Sequence, residues 1–331
     1  MPNWTEILKE IQAKSAELVS AAQQFQNQAG HAISIVRRDW LKKLYEHTGR
    51  NVIAYYSGFL SKSTAGIEIN DEDKNGFMMA VHKLDRSKGL DLILHTPGGG
   101  ITSTQSIVDY LHKMFRANGS NSVPDIRAII PQIAMSAGTM IACSCKEIWM
   151  AKHSNLGPID PQVNGVPAYG VLREFAKACK DVSSDPSKIP IWQSIIGQYR
   201  PTYLSRCENA IQLSNNFVKD QLSTVMFSGQ PDGKRKAALI LKNLTHYTKN
   251  RTHDRHIHYD ECLRMGLKVR SIEDDPENPK ESQDKFQDLV LTVHHCYMHT
   301  LMNSPCFKII ENHIGVGITK NMIVSQSGAP K

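Results

Sequence analysis

The sequence predicts an α/β fold in which a mostly parallel sheet is covered by helices. Short apolar runs typical of buried strands alternate with longer segments of helical periodicity. The chain has 331 residues, 40% of them hydrophobic and 21% charged, which suits an ordinary globular protein with a large core. Parallel strands need crossover connections, and the helical segments between the apolar runs supply them.

The chain begins with two helical segments. Apolar residues recur at helical spacing over residues 7–25, and Gly30 is a candidate end of that helix. A second helical stretch covers about residues 32–47 and ends before Gly49. Two interpretations are open for these helices: packing on the core, or an arm for oligomerisation.

From Asn51 onward strands and helices alternate. Strands are predicted, in order, at residues 52–56, 90–94, 126–130 and 145–150. Helices are predicted at residues 77–84, 102–115, 168–182 and 201–227. A turn, a short strand and a helix follow over 251–269, and then a polar surface loop over 273–279. The last predicted elements are a helix over about 282–302 and a short tail.

Charge and cysteine content exclude several classes of protein. The net charge of +7 is dispersed, with Lys234 to Lys236 as the only basic triplet, so we predict no nucleic-acid partner. The seven cysteines are scattered, and the spacing of Cys143 and Cys145 does not fit a zinc site. We therefore predict no metal, no cofactor and no disulfide. Without a signal peptide or a membrane span in the sequence, we expect a cytoplasmic protein.

Ser136 is the candidate nucleophile. It follows a predicted strand and precedes the small residues Ala137 and Gly138, which suit a tightly packed helix. At such a junction the N–H group of the next residue faces the oxyanion that forms when the serine attacks a carbonyl. The same run also fits an ordinary packed helix, so this motif alone does not decide the function.

The glycine run Gly98 to Gly100 follows the predicted strand 90–94 and strengthens this interpretation. Consecutive glycines let backbone N–H groups approach a ligand without interference from a Cβ atom. The run lacks the lysine of a nucleotide-binding loop and the spacing of a dinucleotide fingerprint. An N–H group from Gly98 or Gly99 would supply the second donor of an oxyanion hole.

Together these segments resemble a known family. The residues are Leu92-Ile93-Leu94-His95-Thr96-Pro97-Gly98-Gly99, Ala134-Met135-Ser136-Ala137-Gly138-Thr139-Met140-Ile141-Ala142 and Ser154-Asn155-Leu156-Gly157-Pro158-Ile159-Asp160-Pro161-Gln162. They are similar to the serine dehydrogenase proteinase family of the Clp/crotonase superfamily, which also contains the Clp protease proteolytic subunit and signal peptide peptidase A. Residues 48–57 and 259–269 fit the same family.

The resemblance implies a Clp/crotonase-type spiral of ββα units, here with added N-terminal and C-terminal helices. It also implies Ser136 as nucleophile, an oxyanion hole built from Gly98, Gly99 and Ala137, and a homo-oligomer. On this basis we expect a helical N-terminal arm at 1–48, a catalytic domain at 49–272, and a linker with a C-terminal helical extension at 273–331.

The sequence nominates different catalytic partners for Ser136, depending on which relative is considered. Resemblance to Clp subunits, which use histidine and aspartate, nominates Asp254, but the expected histidine position falls near Ile159-Asp160-Pro161. Resemblance to signal peptide peptidases favours a lysine, and the apolar setting of Lys188 would lower its pKa toward the range of a base. Lys188 and Asp254 are therefore the predicted partners of Ser136.

Further polar residues near these motifs are candidates for secondary roles. Asp160, His95 and His253 are candidates for contacting substrate or orienting another catalytic group, although a structural role is the favoured interpretation for each. The cluster from His294 to His299 invites a metal site, but no acidic ligand is nearby and packing is the favoured interpretation.

The sequence thus predicts a serine peptidase that cleaves peptide bonds in a protein or peptide substrate through an acyl-enzyme on Ser136. Two alternatives stay open: a catalytically inactive oligomeric scaffold, and an enzyme of the acyl-CoA type that uses the same oxyanion hole.

Overall fold

A computed structural model describes residues 4–21, 28–116, 122–245, 254–273 and 283–322. A seven-stranded sheet forms its centre, in the order β10-β5-β3-β2-β1-β11-β12. These strands are β1 (Asn51–Ser57), β2 (Leu90–His95), β3 (Ile126–Ile130), β5 (Glu147–Met150), β10 (Val269–Ser271), β11 (Cys306–Asn312) and β12 (Gly317–Asn321). The five strands from β10 to β1 are parallel, and β11 and β12 are added antiparallel to them.

Helices cover both faces of this sheet, as the alternating pattern predicts. The first face is covered by α3 (Asp73–Val81), α4 (Ile101–Met114), α5 (Ala137–Cys143), α8 (Tyr203–Gln221), α9 (Gly233–Leu244) and α10 (Tyr259–Met265). The second is covered by α2 (Gln28–Thr48) and α11 (Gln283–Asn303), with α1 (Trp4–Ala21) packed against them. Alternate strand residues point to opposite faces, so Leu92 and Leu94 enter the first core and Ile93 the second.

A smaller sheet lies at the carboxyl ends of the parallel strands. It is formed by β4 (Ile133–Ala134), β6 (Asn155–Leu156) and β9 (Ile257–His258). β4 pairs with β6, and β6 pairs with β9, so three distant parts of the chain meet here. Since β4 leads directly into α5, this sheet determines where the candidate nucleophile lies.

A helical arm extends from residue 162 to residue 211 and has a small core of its own. It contains the hairpin β7 (Gln162–Val163) and β8 (Val166–Pro167), then α6 (Ala168–Ser184), a 3₁₀ turn (Pro186–Lys188) and α7 (Ile189–Ile196), before the chain enters α8. α8 continues into a π-helical turn, Leu222–Met226. None of the residues of α7 is buried.

The predicted fold class is confirmed, and most elements lie where the sequence places them. Two parts of the prediction were wrong. Gly30, the candidate end of the first helix, lies inside α2, and the segment after Met302, expected to be a short tail, forms β11 and β12. β11 pairs with β1 and is buried along its whole length, so this segment belongs to the central sheet. Of the two interpretations of the N-terminal helices, core packing holds for α2, whose Leu41 and Leu44 are buried against α11.

Candidate active site

Ser136 occupies a tight turn between β4 and α5. Its backbone has φ 50° and ψ −112°, a combination that residues other than glycine rarely adopt. Met135 and Ala137 on either side are buried, whereas Ser136 is partly exposed. A strained, partly exposed serine at a strand-to-helix turn is typical of activated nucleophiles.

The glycine run after β2 lies directly against Ser136. A Cβ atom built on Gly98 would come within 2.7 Å of Ser136 Cβ and 3.0 Å of the Ala137 nitrogen. Gly98 and Gly99 have φ angles of 99° and 154°, which glycine adopts without the strain that a side chain would bring. Only glycine therefore allows the two segments to approach so closely.

Thr96 connects the glycine run to the turn that holds Ser136, and this role was not predicted from the sequence. Its N–H group donates to Ile133 O at 3.3 Å, and its own carbonyl accepts from the N–H group of Met135 at 3.0 Å. Its hydroxyl accepts from the N–H group of Gly98 at 3.2 Å. Its methyl group lies 2.6 Å from where a Cβ atom on Gly138 would sit. The one available signal was its position at the end of β2, directly before Pro97 and the glycines.

Two backbone N–H groups beside Ser136 remain available for a ligand. The N–H group of Gly98 is already bonded to Thr96. Those of Gly99 and Ala137 form no hydrogen bond within the described parts of the chain. Ala137 is the first residue of α5, where an N–H group has no intrahelical acceptor. Acyl transfer requires such free N–H donors near the nucleophile, and here one lies on the serine turn and one on the glycine run packed against it.

Comparison with known proteins agrees with this geometry. A family model described as ClpP-like SDH-type serine proteinase matches residues 23–290. The chain belongs to this family. It is also similar to two uncharacterized proteins of Methanocaldococcus jannaschii. One is 28% identical over 201 residues, which are 61% of this chain and 60% of the relative. The other is 27% identical over 235 residues, 70% of each chain.

The two residues predicted to activate Ser136 are both accessible to solvent in this ClpP-like fold. Lys188 is 43% exposed on the arm, with Nζ 4.0 Å from Asp185 Oδ2. Asp254 is exposed and precedes β9, two strands from β4. His253 lies outside the described residues. No residue in the ranges given above is hydrogen-bonded to Ser136 Oγ.

His95 lies on the opposite face of the sheet from α5. Its ring is fully buried among the rings of Tyr56, Phe59 and His294, with centroids 5.1–5.4 Å away. Neither ring nitrogen has a hydrogen-bond partner among the described residues, and burial lowers its pKa to about 3. His95 is therefore a neutral packing residue of the second core, and the fold does not bring it beside Ser136.

Asp160 lies in the loop between β6 and β7, where the side chain of Gln162 donates to its carboxylate at 3.3 Å. The histidines of α11 also make packing contacts: His294 bonds the Tyr56 hydroxyl at 3.2 Å, and His299 stacks on Trp4.

In the part of the chain that the structure describes, no group of three or more His, Cys, Asp or Glu could hold a metal ion. No described helix combines the length and apolarity needed to cross a membrane.

Proposed function

We propose that this protein is a serine peptidase with Ser136 as its nucleophile. The observation that carries the proposal is the strained serine beside two free N–H groups, those of Gly99 and Ala137. Membership of the ClpP-like proteinase family supports the same reaction. The matched region covers 60% of one relative's length and 70% of the other's. The peptide substrate is therefore proposed from the site and the family and not from these two relatives.

The reaction follows from these groups. Ser136 Oγ attacks the scissile carbonyl carbon while its proton passes to a base, and the carbonyl oxygen becomes an oxyanion held by Gly99 and Ala137. The C–N bond then breaks, the base returns its proton to the leaving amine, and an ester remains on Ser136. Water, deprotonated by the same base, attacks this ester. The bond from the acyl carbon to Ser136 Oγ then breaks, Oγ takes the proton back from the base, and the acid is released. We retain Lys188 as the predicted base and Asp254 as the predicted acidic member of the site.

We also propose that the protein assembles as a homo-oligomer. The support is α7, whose sequence is Ile-Pro-Ile-Trp-Gln-Ser-Ile-Ile and which has no buried residue. Ile191, for example, is 62% exposed. Residues 189–199 carry no charge, which is typical of the centre of a protein interface and unlike a solvated helix.

We further propose that the protein is cytoplasmic. All seven cysteines are unpaired thiols, and six of them are buried. Burial raises the pKa of the Cys143 and Cys145 thiols well above their ordinary value, so they stay protonated and inert. A full set of free thiols is expected in a reducing compartment.

The test is covalent labelling with a fluorophosphonate probe, followed by mass spectrometry of the modified peptide. We expect the wild type to be labelled on Ser136 and Ser136→Ala to lose the label. Ser205→Ala, at an exposed position of α8, is the matched control and should label like the wild type. Labelling that survives in Ser136→Ala would overturn the proposal, and a folded oligomer inert to probe and casein would favour the scaffold alternative.

A further inference from the structure

The C-terminal strand β11 holds in place a loop that reaches the candidate active site. This loop, residues 58–72 between β1 and α3, is called the strap here. The N–H group of Gly58 donates to Phe307 O at 2.8 Å. Lys62 Nζ donates to three carbonyls at the start of β11 and the end of α11, those of Leu301, Ser304 and Cys306. Both contact points on β11 lie beyond residue 290, outside the region that matches the family.

Lys308 makes the most deeply buried of these contacts. Its ammonium group donates to Glu68 O at 2.7 Å and to both carboxylate oxygens of Asp73 at 2.8 and 3.0 Å. The side chains of Lys308 and Asp73 are fully buried. Asp73 also accepts from the N–H group of Asn70 at 3.2 Å and from the Tyr55 hydroxyl at 2.8 Å. Lys308 and Asp73 thus fix the residues on both sides of Ile69.

Ile69 in turn fixes the residues on both sides of Gly99. Its N–H group donates to Gly98 O at 2.7 Å, and its carbonyl accepts from the N–H group of Gly100 at 2.9 Å. A Cβ atom on Gly99 would clash with the backbone oxygen and nitrogen of Ile69, so the two segments are in direct contact. This bridge leaves the N–H group of Gly99 as the free donor of the run.

We propose that Lys308 is a positioning residue that, through Glu68, Asp73 and Ile69, holds the Gly99 N–H group toward Ser136. The proposal rests on the proposed function of that site. The charge of Lys308 is well suited to this task because a charged donor makes a stronger bond to the Glu68 carbonyl than a neutral one. Asp73 is what makes a buried ammonium tolerable at this position.

The experiment compares two buried ion pairs on the same strand. Lys308→Met removes every bond from Lys308 to the strap. Glu311→Gln is the control, because Glu311 is buried three residues further along β11, pairs with Arg37 and makes no hydrogen bond to the strap. Each variant loses a buried charge of β11, so a difference between them reports contact with the strap.

Two readouts are measured on folded protein. The first is the inactivation rate constant of the fluorophosphonate probe at saturation, separated from its binding constant. The second is hydrogen exchange at the N–H groups of Ile69 and Gly100. We expect Lys308→Met to lower the inactivation rate constant at least about tenfold, with probe binding little changed, and to accelerate exchange at both positions. Glu311→Gln should change neither readout more than about twofold, and Lys308→Arg, which keeps the charge, should restore most of the rate.

Wild-type rates and exchange in folded Lys308→Met would overturn the proposal. If that variant does not fold, the double variant Lys308→Met/Asp73→Asn, which leaves no buried charge unpaired, is measured against the same two criteria. If the wild type is not labelled at all, the proposed function fails, while the exchange measurement still decides whether Lys308 holds the strap and the glycine run.

Discussion

Gly98 lies so close to Ser136 that a Cβ atom on the glycine would come 2.7 Å from Ser136 Cβ. It would also lie 2.8 Å from Met135 O and 3.0 Å from the nitrogen of Ala137. These neighbours are backbone atoms or close to the backbone, so they cannot move aside without displacing the turn that holds Ser136. The glycine run and the serine turn therefore form one rigid unit.

The first prediction is that Gly98→Ala abolishes reaction at Ser136. The new methyl group separates the two segments and removes the geometry of the oxyanion hole, so we expect probe labelling to fall at least about 100-fold. Gly165→Ala is the matched control: its φ of 77° is also positive, but a Cβ atom there meets nothing within 4 Å. Gly165→Ala should be destabilised only by the backbone strain of a side chain at positive φ, about 1–2 kcal/mol, and should label like the wild type. Equal labelling of both variants would contradict the prediction.

The second prediction concerns the strain at Ser136. A non-glycine residue at φ 50° and ψ −112° costs about 1–3 kcal/mol, which glycine avoids at the expense of about 0.4–1 kcal/mol of unfolded-state entropy. We expect Ser136→Gly to be more stable than Ser136→Ala by about 1 kcal/mol, although both are unreactive. Urea denaturation of the two variants measures this difference. A Ser136→Ala variant as stable as Ser136→Gly would show that the turn is not strained.

Much of this fold could be predicted from the sequence because its parallel strands are continuous apolar runs. β1, β2, β3 and β5 each lie within one or two residues of their predicted positions. β11 was missed because it carries Lys308 and Glu311, charges that are rare inside a buried strand. Their partners, Asp73 and Arg37, lie more than 230 residues away, and only the folded chain brings them together.

The candidate site, like the fold, could be predicted only where a local sequence pattern marks it. Ser136 and the glycine run were found because each is a local motif at the end of a strand. The roles of Thr96 and Ile69 depend on pairing between segments distant in sequence, and no local pattern indicates them. His95 was assigned to the site by its position beside the motif. A one-residue step along a strand changes the face, and His95 points into the second core with Ile93.

The third prediction is that burial of His95 makes the protein acid-sensitive. Its pKa is lowered to about 3 in the folded state, so between that pH and its ordinary pKa near 6.5 the unfolded chain binds a proton that the folded chain excludes. The contribution of neutral His95 to the free energy of unfolding is therefore fully present above about pH 6.5 and is lost as the pH falls toward 3. For one such histidine the loss between pH 7 and pH 5 is about 2 kcal/mol.

His95→Phe tests this, because phenylalanine fits among the rings of Tyr56 and Phe59 and does not titrate. We expect the variant to lose about 2 kcal/mol less than the wild type between pH 7 and pH 5 in urea denaturation. His294 is buried on the same face with a lowered pKa, so the variant keeps part of the acid sensitivity. A pH dependence identical to that of the wild type would contradict the assignment of a neutral, buried His95.

The fourth prediction is that α7 forms the contact between copies of the chain. A helix with four isoleucines and no buried residue exposes apolar surface that association would remove from water, at about 25 cal/mol for each Å². Ile191→Asp places a charge in the centre of this surface, so we expect it to raise the dissociation constant at least about tenfold. Light scattering coupled to size-exclusion chromatography measures the oligomer over a range of concentrations. Leu239→Asp, at a 54% exposed position of α9, is the matched control and should assemble like the wild type. A wild type that stays monomeric, or two variants that dissociate equally, would rule out α7 as the specific contact.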